Sequence, residues 1–179
     1  LSYLFGSNSP FLELLKAEIF VNKNLNIKIN INSNKLIHHD RFINFLLKFT
    51  IEEGLINIDD SKINWSDFLD FQIYDSLFFI DNNDLFLSGK VSSTIKNFDE
   101  VYKFFQTPKK YRTEIEKLEF NFIYNLDQQM INFHNIKINN EINDNFAWLF
   151  NKSIPKKKLF QNQIYFKKLI NKILKIYAG

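Results

Sequence analysis

Three histidines and several groups of carboxylates are the side chains in this sequence best suited to chemistry. His38 and His39 are adjacent, and His134 lies far along the chain. Adjacent side chains point to opposite sides of a strand and diverge by about 100° around a helix, so this pair is poorly arranged to hold one metal ion. Because the chain also lacks cysteine, we expect no zinc or iron site.

The acidic residues form four groups: Glu52-Glu53, Asp59-Asp60, Asp67 with Asp70, and the run DNND at 81–84. The DNND run leads straight into an apolar, strand-like segment and so lacks the spacing of a calcium loop. Turn formation explains both DNND and Asp59-Asp60. A glycosidase-like carboxylate pair stays open as an alternative, but nothing in the sequence selects one pair over another.

Serine nucleophiles and phosphate-binding loops have no recognisable signature. Ser88-Gly89 does not complete a G-x-S-x-G elbow, and the chain's four glycines form no cluster that could cradle phosphates. The net charge of +3 arises from well-mixed charges, which gives no reason to expect nucleic-acid binding. We therefore expect a protein that is not an enzyme, needs no cofactor and binds no nucleic acid.

Alternating apolar residues dominate the remainder of the chain and predict antiparallel strands. The clearest case is LEFNFIYNLDQQMINFHNIKI, 118–138, where apolar residues recur at every second position on both sides of a polar break. The segment 71–95 repeats this arrangement around DNND. GLINIDDSKINW, 54–65, predicts another hairpin around Asp59-Asp60, and 18–31 predicts a further strand.

Short helices are predicted between these strands, near 40–49, 98–105 and 144–151. Asp40 suits an N-cap for the first, and Pro108 follows the second. At the end of the chain, 157–177 places apolar residues on one side and lysines on the other, as is typical of an amphipathic helix.

These elements predict a mainly β chain with short helices, an α+β protein. A lead-in segment, 1–17, precedes an antiparallel β-meander over 18–156, and the amphipathic helix occupies 157–179. The alternation gives this meander one apolar face. No apolar run reaches the roughly 20 residues of a membrane-spanning helix.

Several quoted stretches carry a family resemblance: GLINIDDSKINW, DSLFFIDNNDLFLSGKV, FFQTPKKYR, FNFIYNLDQQMINFHNIKI and a helix ending in IYAG. In these the chain resembles the C-terminal region of AsmA-like proteins, large envelope proteins of Gram-negative bacteria related to TamB and YhdP. The resemblance covers roughly residues 50–179. It implies a twisted, curled sheet with one apolar groove face. It also implies a protein in the periplasm, anchored to the inner membrane by an upstream segment absent from this chain.

The resemblance further implies a role in phospholipid transport across the periplasm and in outer-membrane assembly, with acyl chains held in an apolar groove. The groove candidates are Ile56, Ile58, Ile63, Trp65, Phe71, Ile73, Phe120, Phe122, Tyr124 and Phe133. Basic residues that could meet lipid headgroups or a membrane surface are Lys109, Lys110, Arg112, Lys156, Lys157 and Lys158. The alternative is a periplasmic scaffold or adaptor that binds an envelope protein through its sheet edge or its terminal helix.

Overall fold

The computed structural model describes residues 9–17, 19–36, 39–143, 146, 148, 151–152 and 163–178. In this part of the chain the strands are β1 (Asn26–Leu36), β2 (His39–Glu52), β3 (Leu55–Asn57), β4 (Lys62–Trp65), β5 (Leu69–Asp81), β6 (Asp84–Ile95), β7 (Lys117–Asn125), β8 (Met130–Ile138) and β9 (Glu141–Ile142). The helices with defined bounds are α1 (Pro10–Lys16), α2 (Phe98–Phe104) and α3 (Gln163–Tyr177). A 3-10 turn spans Lys109–Tyr111.

The strands form one antiparallel sheet in the order β1-β2-β4-β5-β6-β7-β8-β9, with β3 also paired to β2. Apart from β3 and β4, which both pair with β2, each strand lies beside its neighbours in sequence, and the sheet is not closed. The predicted antiparallel meander with short helices and a C-terminal helix is confirmed. The helix predicted near 98–105 is α2; of 144–151, the described residues Phe146, Trp148 and Asn151 are helical, and the others lie outside the described residues.

Both long hairpins predicted from alternation are present. Asn82 and Asn83 connect β5 to β6 with φ of 49° and 65°. Two successive residues with positive φ form a turn whose twist matches that of the flanking strands in a two-residue hairpin. Asparagine tolerates this conformation better than most residues. The hairpin β7–β8 pairs Leu118 with Ile138 at its open end and Asn125 with Met130 beside the turn.

The helix predicted near 40–49 is wrong, because this segment forms the long strand β2. Asn44 has φ of 51°, and the register with β4 shifts beside it, which marks a β-bulge. Phe42 and Phe45, on either side of the bulge, both pack into the core. This three-residue spacing imitates a helical period, although strict alternation follows at Phe45, Leu47, Phe49 and Ile51.

Residues 54–65 do not form the predicted hairpin. Instead β3 and β4 follow one another along the same edge of β2, and the tight turn comes earlier, at Glu53 and Gly54. Asp60 lies in a kink between β3 and β4 with φ of 60°, and its N–H donates to Ile73 O at 2.9 Å. Asp59 and Asp60 therefore lie at a kink that interrupts the strand without reversing the chain. Residue types that favour turns do not distinguish such a kink from a chain reversal.

Helices α1, α2 and α3 cover one face of the sheet, and β6 runs beneath all of them. Leu85 lies in a cluster with α1, Val91 in a cluster with α3, and Ile95 packs where the α3 and α2 clusters meet. These β6 residues share one side of the strand because they are separated by even numbers of positions. The apolar face is thus divided into three regions, each below its own helix.

Candidate functional site

The Phe-rich part of the apolar face lies beneath α3. Phe122 of β7 is opposite Phe133 of β8, both are buried, and the ring of Phe120 meets that of Phe133 edge-on at 5.3 Å. Gly89 of β6 is opposite Phe122 on the other side, where an added Cβ would lie 3.2 Å from the Phe122 ring. The glycine thus leaves the space into which the aromatic ring packs.

Helix α3 contacts this region through one side only. Leu169 and Ile173 are buried in the same cluster as Phe122 and Phe133, whereas Ile164 and Ile176 are 69% and 46% exposed. Ile170, Leu174 and Tyr177 also pack against the cluster, so one broad apolar side of the helix forms the contact stripe. We call the cluster under this stripe the α3-covered face; its buried sheet members are Val91, Phe122, Phe133, Ile136 and Ile138.

A polar contact holds the middle of α3 against α2. The side-chain amide of Asn171 donates to Phe105 O and Gln106 O, each at 3.1 Å, and so satisfies carbonyls at the end of α2. The ammonium group of Lys167 lies 3.9 Å from the centre of the Phe104 ring, within cation–π range. Asn171 was missed by sequence reasoning, although an amide among the apolar residues of LINKIL is a usable signal.

The sheet residues around the α3 contact are half-buried. Phe71, Ile73, Phe120 and Tyr124 all pack against the α3-covered face and retain partial exposure. Burial raises the pKa of the Tyr124 hydroxyl. These four predicted groove residues form an accessible margin around the contact stripe of α3.

A buried hydroxyl lies on the same side of β6 as the α3-covered face. Ser93 is opposite Phe71 on one neighbouring strand and Leu118 on the other, and it is 1% exposed. Its Oγ has no hydrogen-bond partner among the described residues. Most buried hydroxyls in proteins are paired, so this one is unusual.

The other predicted groove residues lie elsewhere on the sheet. Ile56 and Ile58 are buried in the cluster beneath α1, and Trp65 is buried beneath α2 with its ring 4.5 Å from that of Phe104. Ile63 is half-buried opposite Phe71. The ten candidates therefore do not form one row: six meet at the α3-covered face and its margin, and the rest belong to neighbouring regions.

Of the predicted basic residues, Lys109 and Lys110 are exposed in the 3-10 turn. Arg112 is held internally, since its Nε donates to Thr107 O at 3.0 Å and its Nη1 lies 3.5 Å from Asp99. It fastens the loop after α2 and is not freely available to a headgroup. Lys156, Lys157 and Lys158 lie outside the described residues.

Of the side chains suited to chemistry, Asp59 makes structural hydrogen bonds and His134 lies on the polar face of the sheet. The Asp59 carboxylate accepts hydrogen bonds from Ser76 N–H and Oγ at 2.7 and 2.6 Å, across the kink between β3 and β4. His134 lines a shallow depression on the opposite, polar face of the sheet, together with Lys90 and Glu119. Among the described residues, no three histidine or acidic side chains are grouped closely enough to hold a metal ion.

Asp127, in the turn between β7 and β8, fastens α1 to the sheet. Its carboxylate accepts a hydrogen bond from Leu85 N–H at 2.7 Å and forms an ion pair with Lys16. Burial by itself raises the pKa of Asp127, but the Leu85 hydrogen bond and the Lys16 ammonium outweigh it and lower the pKa. The hydrogen bond to Asp127 in turn raises the pKa of Lys16.

Asp127→Asn should therefore reduce stability at neutral pH and have little effect in acid. A carboxylate whose pKa is lowered by folding stabilises the protein above its unfolded pKa of about 3.9, and loses this effect as the pH falls through the folded value. We expect a loss of about 0.5–1 kcal/mol at pH 7 for this partly exposed pair. Urea unfolding at pH 7 and pH 3 measures it, with the exposed Asp67→Asn as control. An equal loss at both pH values would contradict the ion-pair origin.

Comparison with known proteins gives no relative for this chain: no family model, no curated protein and no solved structure matches it. Among the described residues, no helix combines the length and the hydropathy needed to cross a membrane.

Proposed function

We propose that this chain is a non-enzymatic lipid-handling module, in which acyl chains lie on the α3-covered face and α3 acts as a movable cover. The observation that carries this proposal is the shape of the contact. One amphipathic helix covers the centre of a Phe-rich face, while Phe71, Ile73, Phe120 and Tyr124 stay half-buried around it. Hydrophobic burial is non-directional, so such a face can hold hydrocarbon without a dedicated set of polar contacts.

The dimensions of the strands support the same proposal. Strands β7 and β8 each contain nine residues, which corresponds to a length of about 30 Å. One leaflet of a bilayer contains about half of a hydrocarbon core that is roughly 30 Å thick. The strands are thus long enough to lie along an acyl chain.

The resemblance to the C-terminal region of AsmA-like proteins supports a place for this module in phospholipid transport across the periplasm and in outer-membrane assembly. In that setting the chain would be held at the inner membrane by an upstream segment. Lipid would meet the sheet margin, and displacement of α3 would widen the apolar surface available to it.

The test is lipid retention by the purified protein. We expect native mass spectrometry to detect bound phospholipid after incubation with vesicles of phosphatidylethanolamine and phosphatidylglycerol. The double change Phe120→Asn and Phe71→Asn should abolish it, because both side chains are on the half-buried margin. The control, Ile123→Asn, lies on the opposite face of β7 and should retain lipid.

Cooperative thermal unfolding of all three proteins separates lost binding from lost folding. The proposal would be overturned if the unaltered chain held no lipid. It would also be overturned if the Phe120 and Phe71 double variant retained as much lipid as the Ile123→Asn control. In that case the α3-covered face is simply a permanent core.

A further inference from the structure

The outermost strand, β1, leaves an apolar row uncovered. Ile29 and Ile31 lie opposite Phe49 and Leu47 on β2, on the same side of the sheet. The exposed fraction changes abruptly between the two strands, from 4% at Phe49 and 7% at Leu47 to 44% and 37% at Ile29 and Ile31. The apolar face therefore continues to the last strand but is not covered there.

The backbone of β1 also presents hydrogen-bonding groups to the open side. Ser61 Oγ, on the β4 side of β2, accepts from Lys48 N–H at 3.0 Å and donates to Lys48 O at 3.3 Å. Successive residues of an antiparallel strand direct their N–H and C=O groups to opposite neighbouring strands. Because Lys48 directs its groups toward β4, Phe49 directs its groups toward Ile29 of β1. It follows that Asn30, between Ile29 and Ile31, directs its N–H and C=O outward, as do Lys28 and Asn32.

The opposite edge of the sheet is closed by the chain itself. The side-chain amide of Asn151 accepts from Phe133 N–H at 2.9 Å and donates to Phe133 O at 2.7 Å, and so imitates a neighbouring strand. Beyond it, β8 is paired to β9, which has only two residues. By contrast β1 has 11 residues, and among the described residues it pairs only with β2. A long open edge of this kind can template strand addition, and lysine side chains on it discourage pairing with like-charged edges.

We propose that β1 binds an extended strand of a partner polypeptide in which apolar residues alternate with polar ones and an acidic residue lies opposite Lys28. The partner's apolar side chains would cover Ile29 and Ile31, and its backbone would pair with the outward groups of Lys28, Asn30 and Asn32. In strand addition of this kind, main-chain hydrogen bonds provide the affinity and alternate side chains provide the selectivity. This interface lies on a different part of the sheet from the α3-covered face and does not depend on lipid binding.

Charge identifies the partner's chemistry. Strand β1 contains Lys28 and Lys35 and no acidic residue. Like charges directly opposite one another destabilise a strand pair, and opposite charges stabilise it. A second copy of β1 would bring no acidic residue to this edge, whereas an acidic strand places a carboxylate opposite Lys28.

The first experiment uses fluorescein-labelled peptides of about nine residues, in which valine or isoleucine alternates with threonine and glutamate. A matched peptide carries lysine in place of glutamate. Fluorescence anisotropy should show tighter binding of the acidic peptide to the full chain, by about tenfold. Lys28→Glu should reverse the preference. Equal binding of the two peptides, or no reversal, would overturn the proposal.

The second experiment removes one outward hydrogen-bond donor. Asn30→Pro eliminates an N–H that does not face β2, so it should weaken acidic-peptide binding about tenfold. Asn30→Ala keeps the N–H and should bind as the unaltered chain does. Equal affinity of the proline and alanine variants would contradict strand addition at this edge.

Amide hydrogen exchange of the unaltered chain gives a readout that does not depend on how the proline variant folds. The acidic peptide should slow exchange at Lys28, Asn30 and Asn32, and change little at Ile29, whose N–H already faces β2. Slowed exchange elsewhere with none at these three amides would place the peptide on another surface. Analytical ultracentrifugation showing a dimer that Asn30→Pro dissociates would identify a second copy as the occupant and overturn the proposal.

Discussion

Phe122→Ala should lower the free energy of unfolding by about 3–5 kcal/mol, whereas Ile123→Ala, one position further along β7, should lower it by less than about 1 kcal/mol. The two side chains point to opposite faces of the same strand. Phe122 is 7% exposed between Gly89 and Phe133, and Ile123 is 36% exposed on the polar face. Burial therefore accounts for the difference between the two neighbours.

The size of the Phe122 effect has two sources. Removing the ring loses its transfer free energy, and the glycine opposite provides no side chain that could move into the cavity left behind. Urea unfolding monitored by tryptophan fluorescence measures both variants, and an unchanged slope with denaturant would show that the unfolded state is unaffected. A loss for Phe122→Ala as small as that for Ile123→Ala would mean that the α3-covered face does not stabilise the fold.

The hairpins were predictable because their signals are local. Period-two alternation assigns residues to faces, and the polar pairs at Asn82-Asn83 and between β7 and β8 place the turns. The strand β2 was not predictable in this way, since a single bulge residue changed its apolar spacing to one that suits a helix. The kink at Asp60 is a similar case. The acidic pair favours a turn, but the kinked segment also pairs with β5, on the side away from β2, and this pairing keeps the chain running in one direction.

The candidate site was only partly predictable for a different reason. Alternation identifies which side chains share a face, but it does not determine which helix covers them. Ile56 and Phe122 have equivalent patterns, yet the first lies beneath α1 and the second beneath α3. The contacts that fix each helix, such as Asn171 with α2 and Lys16 with Asp127, join residues far apart in sequence. Their partners have no local signature.

Leu169→Asp combined with Ile173→Asp should detach α3 while the rest of the sheet stays folded. Both side chains are buried in the α3 cluster, and burying an unpaired carboxylate costs several kcal/mol, so the helix should leave the sheet. The cluster beneath α1 has no α3 member and should persist, whereas the cluster beneath α2 keeps its own helix and loses the contacts of Ile170 and Leu174. The matched control is Ile164→Asp with Ile176→Asp, which makes a similar chemical change on exposed positions of the same helix.

Two measurements follow the detachment. Binding of a hydrophobic dye should increase several-fold, because the α3-covered face loses its cover, and trypsin should cleave faster at Lys167, Lys168 and Lys172 in the released helix. Far-ultraviolet circular dichroism should retain the strand signal. The control variant should match the unaltered chain in dye binding and cleavage.

This pair of variants also separates a movable cover from a permanent core. If α3 acts as a cover, its release should leave a folded sheet that takes up phospholipid from vesicles faster than the unaltered chain, because the step that exposes the face has already occurred. If α3 is an integral part of the core, the buried substitutions should instead eliminate cooperative unfolding of the whole sheet. The Phe122 and Phe133 pair would then contribute to stability alone, and lipid uptake should be absent from both proteins.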